Sequence, residues 1–383
     1  MDQSKRSISI IIPLYRGSKY IPGLISQIES CAECIPDTCF EIIFSNDSPD
    51  ENIESLSVSS PVFIRILNTD RNRGIHGARV RGFLNSAGSY VLFLDQDDKI
   101  LPEYFRSQLE RIGQADAVIC NAVSGGRLKY NAVRPLYKAA DRRSMIEEGC
   151  MILSPGQVLI RRDAVPREWT ENIMQNNGAD DWLLWLCMHS EGKSFAVNQE
   201  ALFIRELHCR NASFDSLKMA ASESEAVRIV EERQLLDAEE RKSLKLLLPG
   251  LQEKRIRENE KFKRMFWVQN SCLHAYHKGL SPAGFLRDRN VKRAAVYGGG
   301  YLGECLLEDL RGSDIETAYV IDRNAAFLNV GAKCCTLEDE LEQVDAVIVT
   351  LVTDDRDEIE ALLKERVCGE IYWLEDITAD LAR

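Results

Sequence analysis

No run of about 18 or more apolar residues occurs in the 383-residue chain, so no transmembrane helix is expected. Met1 to Arg6, ahead of the first apolar run, provide neither an apolar h-region nor a small-residue cleavage site, so no secretory leader is expected either. Metal-type cysteine spacing is nearly absent. The 12 cysteines are scattered from Cys31 to Cys368, and only Cys31-Ala-Glu-Cys34 has ligand-like spacing, with no second CxxC or HxxxH nearby. Reduced, mostly buried thiols in a cytoplasmic protein are the expectation. Excess positive charge is missing too: 48 Lys and Arg against 60 Asp and Glu give a net −12, which argues against a nucleic-acid partner. Internal repeats and low-complexity tracts are absent. A hydrophobic fraction of 45% with 28% charged residues is that of a soluble globular protein, and the length favours two domains over one core.

What is present is an alternation of short β-rich runs and helical patterns. Ser9–Ile12, Phe40–Phe44, Val62–Leu67 and Tyr90–Leu94 read as strands, with helices over Tyr20–Cys31 and Gly77–Ala87. Such alternation implies βαβ units and an α/β fold with a mixed, mostly parallel sheet. A polar, helical stretch comes next, divided by Pro249-Gly250 and read as a linker or helical hairpin. From Val291 a strand, a glycine turn and a helix begin a small Rossmann-like unit, with strands at 318–322, 346–351 and 370–374. The expected division is 1–215, 216–290 and 291–383.

In a parallel sheet the site lies beyond the carboxyl ends of the strands. Asp95-Gln96-Asp97-Asp98 stands directly after five apolar residues. Several carboxylates ending a buried strand are costly unless something positive neutralises them. Hard carboxylate oxygens suit Mg²⁺ or Mn²⁺, which in turn hold phosphate oxygens. The plainer reading is a loop or helix cap, with Asp98 capping the helix that begins near Pro102.

Pro13-Leu14-Tyr15 ends the first strand, Asn46-Asp47-Ser48 the second, and Arg79 lies on the helix before the acidic strand. With Asn72-Arg73-Gly74, Ala78-Arg79 and Gly88 to Phe105, these residues match in order and spacing the inverting family 2 glycosyltransferases of GT-A fold, which the sequence resembles. Ala179-Asp180-Asp181-Trp182 looks like that family's acidic-Asp-Trp motif, and Arg205 to Ser213 its late His-x-x-Asn-x-Ser element. The resemblance covers roughly residues 7 to 215.

It implies a nucleotide-diphospho-sugar donor, a saccharide or lipid-linked acceptor, and a role in surface polysaccharide synthesis. Tyr15 would stack on the base and Pro13 meet it through its carbonyl. Asp47 would accept from uracil N3, favouring uridine nucleotides. Arg79 would touch the base or the diphosphate, and Gln96 belongs to the same nucleotide-sugar site. Asp97 would bind the metal, with Asp95 helping directly or through water and ribose. His208 would add a ligand or a phosphate hydrogen bond. Asp181 would be the catalytic base, since inverting transfer needs a single positioned carboxylate to take the acceptor's proton; Asp180 would only suit a helix N-terminus. Three departures stand out: the turn Asn46-Asp47-Ser48-Pro49 is a residue short, Arg16 stands where Asn is common, and His76 replaces a small residue. His76 is read either as a diphosphate contact or as a surface residue.

The stretch 241–293 carries 14 Lys and Arg against 4 Asp and Glu, unlike the rest of the chain. It suggests peripheral association with the inner face of a membrane. Gly298, Gly300 and Gly303 follow a strand and open a helix, and Asp322 ends the next strand. This pattern fits a second nucleotide, pyrophosphate on the helix N-terminus and ribose on Asp322. The alternative is a module that has lost its ligand and serves homodimerisation or acceptor positioning. Rival readings of the whole chain are an NAD(P)-binding oxidoreductase and a non-catalytic nucleotide-sugar sensor.

Overall fold

The computed structural model describes residues 6–54, 62–206 and 215–382. The chain divides into two compact units, Met1–Arg255 and Ile256–Arg383.

In the first unit, β1 (Ser7–Leu14), α1 (Ile21–Glu33), β2 (Cys39–Asn46), β3 (Phe63–Leu67), α2 (Gly74–Leu84) and β4 (Tyr90–Phe93) alternate as strand and helix. Then come β5 (Lys99–Ile100), α3 (Tyr104–Ile112), β6 (Ala117–Ser124), β7 (Arg127–Leu128), α4 (Tyr137–Ala140) and α5 (Arg142–Glu147). β8 (Val158–Arg161), α6 (Arg167–Glu171), α7 (Asp180–Ser190), β9 (Phe195–Arg205) and α8 (Ser216–Glu232) complete it, with the first part of α9 (Ala238–His277). The strands form one sheet in the order β3-β2-β1-β4-β8-β6-β9-β5, with β7 paired to β6. Its β3-β2-β1-β4 half is parallel throughout, while β8 is antiparallel to both neighbours. β1 explains the parallel half: Ile8, Ile10, Ile11, Ile12 and Leu14 are all fully buried, which requires cover on both faces of the sheet.

The second unit holds the rest of α9, α10 (Pro282–Arg287), β10 (Arg293–Tyr297), α11 (Tyr301–Arg311), β11 (Glu316–Ile321), β12 (Cys334–Cys335), β13 (Ala346–Val349), α12 (Arg356–Arg366), β14 (Glu370–Trp373) and α13 (Leu374–Ala382). Its sheet is wholly parallel, ordered β12-β11-β10-β13-β14, with an apolar cluster on each face. Parallel pairings outnumber antiparallel ones across the two sheets, as the alternation of elements implied.

The polar helical stretch differs from its sequence reading. Pro249 does not divide it: α9 runs unbroken through that residue. An interior proline removes one helical hydrogen bond and costs about 3 kcal/mol. Here Pro249 is exposed, while Leu244, Leu247, Leu248 and Leu251 pack on the first unit's core and offset the loss. α8 is likewise built into that core through Ala226, Val227, Ile229 and Val230. The boundary between the compact units therefore falls inside α9 rather than near 215 or 290.

Among the described residues every cysteine is free, and no helix is long and apolar enough to cross a membrane.

Candidate active site

Because β2, β1 and β4 are adjacent and parallel, the residues at their carboxyl ends arrive at one edge of the sheet. Asp47 N–H donates to the Leu14 carbonyl at 2.7 Å and Leu94 N–H to the Ile11 carbonyl at 3.0 Å, so the ladder holds these strand ends in register. Pro13 pairs with Ser45 in that ladder, and Tyr15 just beyond is 50% exposed. An exposed tyrosine at a strand end presents a face on which a base can stack.

Gln96 ties the acidic turn to this segment. Its Oε1 accepts from Tyr15 N–H at 3.0 Å, and its Nε2 donates to the Tyr15 carbonyl at 3.4 Å. The approach depends on Gly17, where an added Cβ would lie 2.1 Å from Gln96 Oε1. Gln96 therefore positions the strand end that carries Tyr15, a role its sequence context did not suggest.

Asp47 is almost completely buried, and both its oxygens accept from Arg73 N–H, at 2.9 and 3.0 Å. Burial pushes its carboxyl up, opposed by the Arg73 and Gly74 amides and by Arg81. Its first structural task is to hold the turn that starts α2, and a ligand N–H would share an acceptor already in use.

Arg79, on α2, is the centre of the site. It is 3% exposed and forks between two carboxylates, Nη1 to Asp180 Oδ2 at 2.6 Å and Nη2 to Asp95 Oδ1 at 2.5 Å. Burial works against its charge, but Asp180, Asp95 and Asp181 more than offset this and raise its pKa. The partly exposed Asp95 after β4 and the buried Asp180 that begins α7 thus find their neutralising cation in one side chain. The bridge uses each terminal nitrogen once and leaves Nε without a hydrogen-bond partner, so it stands beside the expected nucleotide contact rather than replacing it.

Asp181 opens α7 beside this bridge and is only partly exposed. Burial and the neighbouring Asp180 carry its carboxyl up to about 7, against the pull of Arg79 and of the Trp182 amide, which donates to Asp181 Oδ1 at 2.8 Å. A carboxyl poised near neutrality can accept a proton from a hydroxyl at working pH.

Asp98 does not cap the following helix. It is buried, its Oδ2 accepts from Ser154 Oγ at 2.9 Å, and α3 has Glu103 at its N-cap position with no side-chain bond. Burial, then Asp95 and Asp97, push Asp98 up to about 8. His76 is neither a diphosphate contact nor a surface residue. Its ring lies 4.7 Å from that of Trp169 in the core, Nδ1 accepts from Met174 N–H at 3.0 Å, and Nε2 is 3.1 Å from the Trp169 carbonyl. That pattern assigns the proton to Nε2, and burial lowers its pKa.

Among the described residues, no group of three or more His, Cys, Asp or Glu forms a ready-made ion cage. Asp95 and Asp97 instead offer hard oxygens on a partly exposed turn. An ion of the Mg²⁺ kind is commonly held by about one or two carboxylates plus substrate phosphates, so this donor set fits an ion that binds together with a diphosphate. His208 lies outside the described residues, as does the rest of the late motif from Leu207 to Ser213.

Several residues that shape the site carried no usable sequence signal. Asp180 looked like a helix-terminus acid but is the bridge partner of Arg79. Glu225 on α8 accepts from the Gln175 and Asn176 amides at 2.9 and 2.8 Å, and Ser222 Oγ accepts from Ala179 N–H at 2.9 Å. Together they hold the loop that delivers Asp180 and Asp181. In sequence both belong to a charged helix indistinguishable from a solvated one.

In the C-terminal unit, Gly298 has φ +105°, and Gly303 packs so tightly that a Cβ would sit 2.1 Å from the Gly298 carbonyl oxygen. Asp322 accepts from Gly299 N–H at 2.9 Å and Asn324 N–H at 2.8 Å, so it braces the loop from the next strand end. Gly300 is the N-cap of α11, without a side-chain bond, and open space surrounds its Cβ position.

Residues 9–169 match the family model Glycosyl transferase family 2. This stretch is a family 2 domain of GT-A type. Among curated relatives, residues of this chain are 25% identical over 164 residues to a dolichol-phosphate mannosyltransferase of Pyrococcus furiosus, covering 42% of each chain. They are 34% identical over 119 residues to an undecaprenyl-phosphate 4-deoxy-4-formamido-L-arabinose transferase of Pseudomonas aeruginosa, covering 29% of this chain and 34% of that one. The chain thus spans less than half the length of these curated relatives. Among solved structures, Staphylococcus aureus TarS 1–349 in complex with UDP-GlcNAc aligns with TM-score 0.43 at 17% identity, covering 62% of this chain and 70% of that one. In the family 2 domain, then, the acidic turn, Asp47 and Arg79 share one sheet edge, and Arg79 reaches beyond the matched residues to Asp180.

Proposed function

We propose that the protein transfers a sugar, with inversion, from a nucleotide-diphospho-sugar to a hydroxyl of a saccharide or lipid-linked acceptor. The observation that carries this reading is the Arg79 bridge. It joins the acidic turn suited to a metal–diphosphate to the helix that presents a carboxyl near neutral pKa. A donor site and a proton acceptor held by one guanidinium are what a single displacement at an anomeric carbon requires.

In this mechanism Tyr15 stacks on the base and the Pro13 carbonyl and Asp47 border it, with a uridine nucleotide as the expected donor. Gln96 keeps Tyr15 in place. Asp97 and Asp95 would hold Mn²⁺ or Mg²⁺, with His208 a further candidate ligand. When bound, the ion offsets charge developing on the departing diphosphate. Asp181 takes the acceptor's proton as the hydroxyl attacks opposite the leaving group. Arg79 keeps Asp180 and Asp95 paired, so charge stays balanced around the base. The relatives named for polyprenyl-phosphate substrates favour a lipid-linked acceptor.

Thermal shift with uridine nucleotides, with and without Mn²⁺, on wild type and Asp97→Ala tests the donor site. Metal-dependent stabilisation of the wild type alone is expected; equal behaviour of the two proteins would refute it. A non-catalytic sensor would bind the donor equally well but would keep its behaviour when Asp181 is replaced.

We read the C-terminal unit as Rossmann-like. The braced glycine loop favours a second nucleotide there, with Gly298, Gly300 and Gly303 against its pyrophosphate and Asp322 beside its ribose. Calorimetric titration with NAD and with UDP would decide between a ligand site and a purely structural module.

A further inference from the structure

Just past β1 the backbone does something that an arginine does not favour. Arg16 has φ +49°, in the left-handed region that asparagine and glycine enter far more readily. It stands, moreover, where Asn is common in the transferases that the sequence resembles. Ser48 holds this conformation, its Oγ accepting from Arg16 N–H at 2.6 Å. The side chain reaches Asp50 on the same segment, Nη2 to Oδ2 at 3.1 Å. Both side chains of that pair are largely exposed, at 68% and 57%, and an ion pair so open to water contributes little to stability. Stability therefore does not account for an arginine at this position. Local backbone strain of this kind persists where it serves a site.

The guanidinium also covers Tyr15. Its Cζ lies 5.5 Å from the centroid of that ring, within the range of a cation–π contact. The main chain of Tyr15 is held separately, by Gln96. With both contacts made, Tyr15 is still 50% exposed, which leaves surface on which a base can stack. A side chain ordered before its ligand arrives loses less rotamer freedom on binding.

We propose that Arg16 is a positioning residue for the donor base: anchored by Ser48 and Asp50, its guanidinium pins the Tyr15 ring in the orientation that receives the base. The inference deepens the proposed function and rests on its reading of Tyr15 as the stacking residue. Arg16 acts on the base through Tyr15 and leaves the diphosphate to the acidic turn.

Calorimetric titration of the full chain with UDP and with inorganic pyrophosphate, Mg²⁺ present, tests it. Arg16→Asn should weaken UDP binding about two- to five-fold, the worth of an exposed cation–π contact, and leave pyrophosphate binding unchanged. Arg16→Lys, which keeps the cation, should recover part of the loss. Asp50→Asn should weaken UDP binding in the same direction, and should add nothing once residue 16 is asparagine. Without ligand, Arg16→Asn should melt no lower than the wild type, because asparagine suits the left-handed backbone; a purely structural arginine would then leave UDP affinity intact. Equal UDP affinity of Arg16→Asn and wild type overturns the proposal, as does an equal loss of UDP and pyrophosphate, which would place the guanidinium on the phosphates. Tyr15→Ala separates this from the donor reading. If it weakens UDP binding while Arg16→Asn does not, the positioning role alone fails; if neither variant changes UDP binding, the stacking reading fails with it.

Discussion

Arg79 and Asp180 are 101 residues apart in sequence and 2.6 Å apart in the structure, both almost wholly buried. The pair is completed by Asp95, so removing the cation strands two carboxylates. Arg79→Met should lower stability by about 3–5 kcal/mol, the usual cost of leaving a buried charge unpaired. Arg79→Lys restores the charge but not the fork, and should recover stability only in part. Chemical denaturation of the three proteins checks the order.

Asp181 sets the pH dependence. With its carboxyl near 7, kcat/KM should rise through about pH 7 as the base ionises. Asp181→Asn should keep donor binding and lose about 10²–10⁴-fold in turnover. The sign for stability is opposite to that of an ordinary paired carboxylate. The folded pKa lies above the ordinary carboxylate value, so the protonated form is favoured by folding and stability falls as pH rises toward and through about 7. Asp181→Asn should therefore stabilise the protein more at pH 8 than at pH 5, as melting curves at the two values would show.

Glu225 is predicted to matter for catalysis from a distance. Glu225→Ala leaves the Gln175 and Asn176 amides without their acceptor, at about 1–3 kcal/mol. Because that loop delivers Asp181, kcat should fall while donor affinity holds. Glu225→Gln, which keeps one acceptor oxygen, should recover much of the rate.

The glycine loop of the second unit offers an internal contrast. Gly303→Ala places a methyl 2.1 Å from a backbone oxygen and should markedly destabilise the unit. Gly300→Ala meets no atom within 4 Å, and an N-cap change between these residues should cost only about a kcal/mol or less. Calorimetric melting would separate the two variants.

The strands and the motifs at their ends were legible in the residues themselves. Ile8 to Leu14 and Tyr90 to Leu94 are continuous apolar runs, and such runs fold as strands covered on both faces; the residues just after them must emerge at the carboxyl edge. The glycine loop and its helix were legible for the same local reason. The partners were decided only by the packing of distant elements. Asp180 and Asp181 are adjacent acids with equal claims in sequence, and only the position of Arg79 makes one a bridge and leaves the other near neutrality. His76 could not be told from a surface histidine until Trp169 closed over it. Glu225 and Glu223 look like solvated helix charges, yet the packing of α8 buries them. Periodicity reports which face of an element is covered, but not which residue a hundred positions away covers it. That choice belongs to the assembled core, and here it turned an ambiguous acidic loop into one arm of a shared charge bridge.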